Sequence, residues 1–261
     1  MIVREMGNGQ LLCLNQTTHA LMAAQFVEHW GNGDFAKPTP YAEMMLAISQ
    51  HDNGWYEWEQ RPRLTADGYP MDFLKDDEPL AKLDLWRLSV SRVFAQHPYA
   101  ALPVHRHAAW LYQGALSQMQ DDRVRQATEE FIAEDATLVE RVRRLLADNA
   151  CFRPWLCDEA IDANTRLLQF GDFAVLQVAI PWGNARIMPK CPLNHREHVD
   201  IQMRFDETTI VFDPWPFGVA AFDVTVHGRL LDQRYFANEA AYHAALAAAP
   251  LYQLHWRVTH A

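Results

Sequence analysis

The chain has 261 residues, 49% of them hydrophobic, enough to bury a large core without disulfides, and this composition excludes a disordered chain. A formal net charge of −10 excludes a general nucleic-acid binder, which needs a basic face to displace counterions. A small phosphorylated ligand stays compatible with that charge, because a bound dication inverts the local field.

Residues 1–14 read as a hairpin, MIVRE and LLCLN flanking the turn sequence GNG. This polar start lacks the basic-then-apolar order of a signal peptide. A helix is expected from Thr17 or Thr18 to Trp30, with the apolar stripe His19, Met22, Ala23, Phe26, Val27, Trp30. A second helix spans about 41–51 and stops at Asn53-Gly54. Its stripe Tyr41, Met44, Met45, Ile48 leads to His51 and Asp52 at the end of the same face.

Residues 60–79, rich in Pro, Gly and Asp, form a long loop, a feature often functional inside a compact domain. Helices follow at roughly 80–97, 103–119, 121–149 and 158–180. The last of these places Asp172 among Leu168, Val175, Leu176 and Ala179. After Pro181-Trp182-Gly183 the character changes. HVDIQMRF, ETTIVFD, FDVTVHGRLLD and LYQLHWRV read as strands, with a helix at about 238–248.

The expected fold is therefore mainly α: a helical domain at 1–180 opened by the short hairpin, then a small α+β subdomain at 181–261 packed on it. Its small antiparallel sheet comes from the C-terminal strands, and the N-terminal hairpin is placed to join it. No run of 18 or more apolar residues appears, so no transmembrane helix is expected. The four cysteines, Cys13, Cys151, Cys157 and Cys191, form no CxxC pair and read as free thiols of a cytoplasmic protein. There is no GxSxG, no P-loop and no GxGxxG, and HREH at 195–198 does not match HExxH and reads as surface.

Chemistry concentrates where histidines and carboxylates fall on apolar helix faces. A buried polar side chain is costly unless it is paired or metal-bound. One such residue is usually a satisfied core polar group, but three helices each presenting one, in the order His19, His51-Asp52, Asp172, suggest a shared centre. His105 and His107 are further candidates in VHRHAAWLYQGAL, and periodicity does not choose between them. Arg61, Arg63 and Lys75 follow the His-Asp pair as cations for a phosphate. Trp55, with Tyr56 and Trp58, offers an aromatic wall able to stack on a ring.

The order His…His-Asp…Asp on successive helices resembles the HD-domain superfamily of metal-dependent phosphohydrolases, and HDNGW at 51–55 is similar to the HDxG string of some HD phosphodiesterases. Where those often continue with a phosphate-holding Lys, this chain has Trp55. The resemblance covers roughly 17–180 and implies an HD-like helical bundle. It also implies His19, His51, Asp52 and Asp172 as ligands, with His107 or His105 serving a second metal or protonating the leaving group. One or two divalent ions (Mn, Fe, Ni, Zn or Mg) would activate a water against a small phosphoester or nucleotide. Asp52 would bridge two ions. Two alternatives stand beside this: a non-catalytic metal- or ligand-binding protein on the same fold, and a di-iron oxygenase-type enzyme. The expected partner is a small phosphorylated molecule rather than nucleic acid or membrane, and a homodimer is compatible with it. The whole chain also resembles an uncharacterised bacterial family of unknown function, through AISQHDNGWYEWE at 47–59, HAAWLY at 107–112, LLQFGDFAVL at 167–176 and DPWPF at 213–217.

Overall fold

The structure, a computed structural model, describes residues 1–75, 78–180 and 182–260; Asp76 and Asp77 of the expected long loop, and Pro181 at the expected change of character, lie outside the described residues. The apolar periodicities form helices where they were read, and one short helix that was not read follows the HDNGW string. These are α1 (Gln16–Val27), α2 (Tyr41–Gln50), the short α3 (Tyr56–Glu59), α4 (Pro79–Gln96), α5 (Ala101–Ala115), α6 (Asp122–Leu146) and α7 (Asp158–Ala179). α6 begins under a side-chain cap, Asp121 accepting from the backbone N–H groups of Arg123 and Val124. None of the helices is long and apolar enough to cross a membrane, among the described residues.

The expectation of a mainly α fold with a small antiparallel sheet is corrected. Helices take about 49% of the chain and strands 21%, and the strands form one curled, seven-stranded mixed sheet, an α/β half-barrel. Its order is β1-β2-β6-β7-β5-β4-β3, from β1 (Ile2–Glu5), β2 (Leu11–Leu14), β3 (Ala185–Pro192), β4 (His198–Phe205), β5 (Thr209–Asp213), β6 (Ala221–Leu231) and β7 (Leu251–His260). The last helix, α8 (Glu239–Ala248), lies between β6 and β7 in sequence. All pairings are antiparallel except β5 with β7.

One strand, β3, was not read in the sequence, whereas the hairpin placed to join the sheet does so. β3 carries Pro189 and Pro192, its register shifts between Met188 and Cys191, and Lys190 sits at φ 54. Prolines are confined to edges and bulges in sheets, so an edge strand of this kind has no alternating pattern. The N-terminal hairpin, for its part, pairs with β6, more than two hundred residues later.

Alternation along β4, β6 and β7 turns Ile201, Met203, Val224, Val226, Trp256 and Val258 to one face. There they meet Phe26 of α1 and Phe170 and Val175 of α7 in a single core cluster. β2 is buried on both faces: Leu12 and Leu14 enter this core, while Leu11 and Cys13 join Phe236 and Tyr242 in a smaller cluster behind the sheet. β6 passes close to β2 at Gly228, where a Cβ would lie 2.6 Å from the Cys13 carbonyl oxygen. α1 and α7 thus rest on the sheet and pack on their other sides against α2 and α5, with α4 against α2 and α5 in turn, and a cluster of His and Asp side chains lies among these helices.

Candidate metal centre

His19 stands on the inner face of α1, His107 on α5 and Asp172 on α7, while His51 caps the C-terminus of α2 and Asp52 follows in the turn. All five are between 0% and 4% exposed. Two glycines let the elements approach this closely. At Gly171 a Cβ would lie 2.8 Å from the Ala23 carbonyl oxygen of α1, so the bare backbone brings Asp172 against His19. At Gly54 a Cβ would lie 2.0 Å from the Leu85 carbonyl oxygen of α4, and the Gly54 N–H donates to Ser89 Oγ at 2.8 Å. The HDNG turn is therefore clamped on α4, and this fixes where His51 and Asp52 point.

His19 Nε2 lies 2.9 Å from Asp172 Oδ1, and its Nδ1 lies 3.4 Å from Asp52 Oδ2. His51 Nε2 lies 3.3 Å from Asp52 Oδ2 and 3.6 Å from Asp172 Oδ1, and His107 Nε2 lies 3.3 Å from Asp172 Oδ2. The four residues expected as ligands are thus brought together, with His107 as a fifth. His51 Nδ1 is 2.8 Å from the Ile48 carbonyl oxygen, which can only accept, so Nδ1 carries a hydrogen. In the neutral ring Nε2 then presents its lone pair to two carboxylate oxygens, and it makes no hydrogen bond of good geometry; neither does His19 Nδ1. No Lys or Arg forms an ion pair with Asp52 or Asp172 among the described residues.

Such a site needs positive charge between its members. Protons supply it in the metal-free chain. Burial disfavours the imidazolium of His19, but Asp172 and Asp52 outweigh burial and raise its pKa to about 9. His51 is raised well above its ordinary value against the same desolvation, chiefly by Asp52. Burial pushes Asp52 and Asp172 toward the neutral acid, and the facing histidines, His51 foremost for Asp52 and His107 for Asp172, hold both below the usual carboxylate range. A cation can supply the charge instead: one donor atom from each of His19, His51 and Asp172 lies within 4.8 Å of the others, so this buried group could hold a metal ion. Neutral imidazole with carboxylate suits borderline and hard divalent cations, whose ligand bonds are about 2.0–2.2 Å.

His105 does not enter the site. Residues two apart on a helix are about 200° apart around it, so with His107 inward His105 faces α6, its ring 4.8 Å from that of Phe131 and its Nδ1 3.5 Å from Asp135 Oδ1. The three expected phosphate-binding cations also lie elsewhere. Arg61 is exposed, Arg63 stacks on Trp58 and pairs with Glu78, and the exposed Lys75 stands over Tyr69. Of the aromatic trio, Trp55 is buried and lines the cavity, while Tyr56 is half exposed and Trp58 lies under Arg63. The DPWPF segment packs the end of α1 on the sheet, the Gly31 N–H donating to the Pro216 carbonyl oxygen. Glu59 is buried and accepts the Gln16 N–H, whereas Glu57 is exposed and pairs with Arg92.

The cluster opens into a cavity of about 460 Å³. Phe73, Trp86, Leu111, Phe173 and Leu176 join Trp55 on its walls, and its lining cations are Lys82 and Arg186. Sequence reasoning missed both. Lys82 lies on α4 with no motif around it, and Arg186 lies on the proline-broken β3.

No curated protein matches the chain, and no solved structure does. The family described as "Protein of unknown function (DUF3891)" matches residues 1–233, which contain the whole cluster and six of the seven strands, and the chain belongs to that family.

Proposed function

We propose that this protein is a metal-dependent hydrolase of small phosphoesters, working at the cluster of His19, His51, Asp52, His107 and Asp172. One observation carries the reading: His51 Nε2, oriented by the bond from Nδ1 to Ile48, faces two carboxylate oxygens in a buried space and makes no hydrogen bond of its own. Desolvated carboxylates facing a lone pair repel it unless a cation or proton stands between them.

His19, His51 and Asp172 would hold the ion, with Asp52 as fourth ligand or as bridge to a second. A bound divalent cation would polarise a phosphoryl oxygen and lower the pKa of a water from 15.7 toward about 7. Asp52, whose Oδ2 faces both His19 and His51, would orient that water. Doubly protonated, His107 would pass the proton of Nδ1 to the leaving oxygen and be left neutral: Asp172 engages its Nε2, and its Nδ1 has no other partner. The free cysteines support a cytoplasmic setting.

The test is metal analysis of the purified protein, followed by assay on a phosphoester panel before and after chelation. Bound divalent metal with chelator-sensitive turnover is expected; a metal-free preparation that takes up none, or turnover untouched by chelation, overturns the proposal. The apolar cavity walls favour a second reading, a metal-holding protein that binds a ligand without converting it; bound metal with no turnover is its signature. Iron with a visible absorption band would instead identify the di-iron alternative.

A further inference from the structure

We propose that the cavity is built for a phosphate monoester with a planar, apolar body, and that Arg186 is the specificity-determining residue that meets its anionic group. The inference rests on the phosphoester reading of the cluster and deepens it by naming the substrate class.

The argument for the apolar body is the wall chemistry. Trp55, Trp86, Phe73 and Phe173 supply aromatic surface, with Leu111 and Leu176 between them. Such walls reward a flat apolar group by burial and ring contact. They offer few partners to the hydroxyls of a polyol, whose desolvation would go uncompensated. A volume of about 460 Å³ falls within the range for one small molecule.

The argument for the anion is Arg186. Most arginines around this helical layer are committed to carboxylates: Arg87 to Glu134, Arg92 to Glu57, Arg106 to Asp135 and Asp162. Arg186 forms no ion pair among the described residues. Its guanidinium lies 4.7 Å from the centroid of the Phe173 ring, at the cavity and one residue along α7 from Asp172. That contact holds the guanidinium against the ring, and with no ion pair on it among the described residues its N–H fork can meet two oxygens of one anion, which a lysine cannot match. The other lining cation, Lys82, donates to the Phe73 carbonyl oxygen at 2.8 Å and so steadies a wall. Among the described residues the carboxylates of the cavity are Asp52 and Asp172, and both face imidazoles.

Calorimetric titration of the full chain as purified tests this with naphthyl phosphate, naphthol and glycerol phosphate. Naphthyl phosphate is expected to bind about tenfold or more tightly than either of the others, since each of them lacks one half of the recognition. Arg186→Gln is expected to weaken naphthyl phosphate about tenfold and leave naphthol unchanged, with Arg186→Lys recovering part of the loss. Equal binding of glycerol phosphate and naphthyl phosphate by the unaltered chain overturns the apolar part without any variant. An Arg186→Gln protein that melts like the parent and binds naphthyl phosphate equally well overturns the role of Arg186. Failure of the hydrolase reading looks different: no metal and no turnover, while binding of naphthyl phosphate still depends on Arg186.

Discussion

Asp172 faces three imidazoles at once, those of His19, His51 and His107, and no other carboxylate of the site does so. Asp172→Asn keeps the shape and removes the charge. It is expected to cut bound metal more than tenfold and, in chelator, to lower unfolding free energy by about 3 kcal/mol, because buried imidazoliums lose their partner. Metal content and urea melts check the two effects separately, and full retention of metal would remove Asp172 from the ligand set. The titrations give a second prediction. In the metal-free chain His19, raised from 6.5 to about 9, contributes stability that is complete below pH about 6.5 and lost as pH rises through about 9. His51 acts in the same direction. Asp52 and Asp172, depressed from 3.8, contribute stability present above that value and lost as pH falls through their lower folded values. The metal-free chain is therefore steadiest between pH about 4 and 6.5 and weakens toward 9. A cation requires the same imidazoles to be neutral, so its own stabilisation grows over that interval. The Tm gap between metal-loaded and chelated protein should widen from pH about 6 to 9, and a gap independent of pH would argue against ligation by His19 and His51.

The helices hold the cluster by close backbone approach, which a substitution can disturb without touching a ligand. A Cβ at Gly171 would meet the Ala23 carbonyl oxygen at 2.8 Å and Val27 Cγ2 at 3.2 Å. Gly171→Ala is expected to push α7 from α1, lowering stability by about 1–3 kcal/mol and metal affinity with it; unchanged affinity would show that the α1–α7 spacing does not set the site. Much of this centre was legible in the sequence because helix periodicity is local. His19, His51 and Asp172 each interrupt an apolar stripe, and an interrupted stripe points inward. The choice between His105 and His107 was not legible, because α5 is covered on both sides: His107 faces Trp86 and Phe173, and His105 faces Phe131. Arg61, Arg63 and Lys75 were placed near the site by sequence proximity to His51-Asp52; the loop does reach the cavity at Phe73 and Leu74, but Arg63 lies over Trp58 and pairs with Glu78, and Lys75 stands over Tyr69. The cation that reaches the cavity next to Phe173 comes instead from β3, on a segment more than a hundred residues later.

At the scale of the whole molecule the sheet is what the sequence concealed. Six of its seven strands were read one by one and β3 was not, and the order of all of them depends on pairings between distant parts of the chain: β2 with β6, and β5 parallel to β7. Neither pairing leaves a local signal, and a parallel neighbour requires a long connection, here the one carrying β6 and α8. The consequence is one continuous main core, in which residues of α1, α2 and α7 share a cluster with residues of β4, β5, β6 and β7. Phe212 of β5 lies at that seam, its ring centroid 5.9 Å from Phe26 of α1 and 5.2 Å from Phe170 of α7. Phe212→Ala leaves a cavity against both helices and is expected to cost about 3–5 kcal/mol. Because Phe26 and Phe170 stand on the same helices as His19 and Asp172, the loss should reach the cluster. Thermal melts followed by far-ultraviolet circular dichroism and by metal release should then move down together by the same number of degrees. If the helical signal and the metal-release curve hold their places while the sheet alone melts early, the two layers unfold as independent units and the shared core does not couple them.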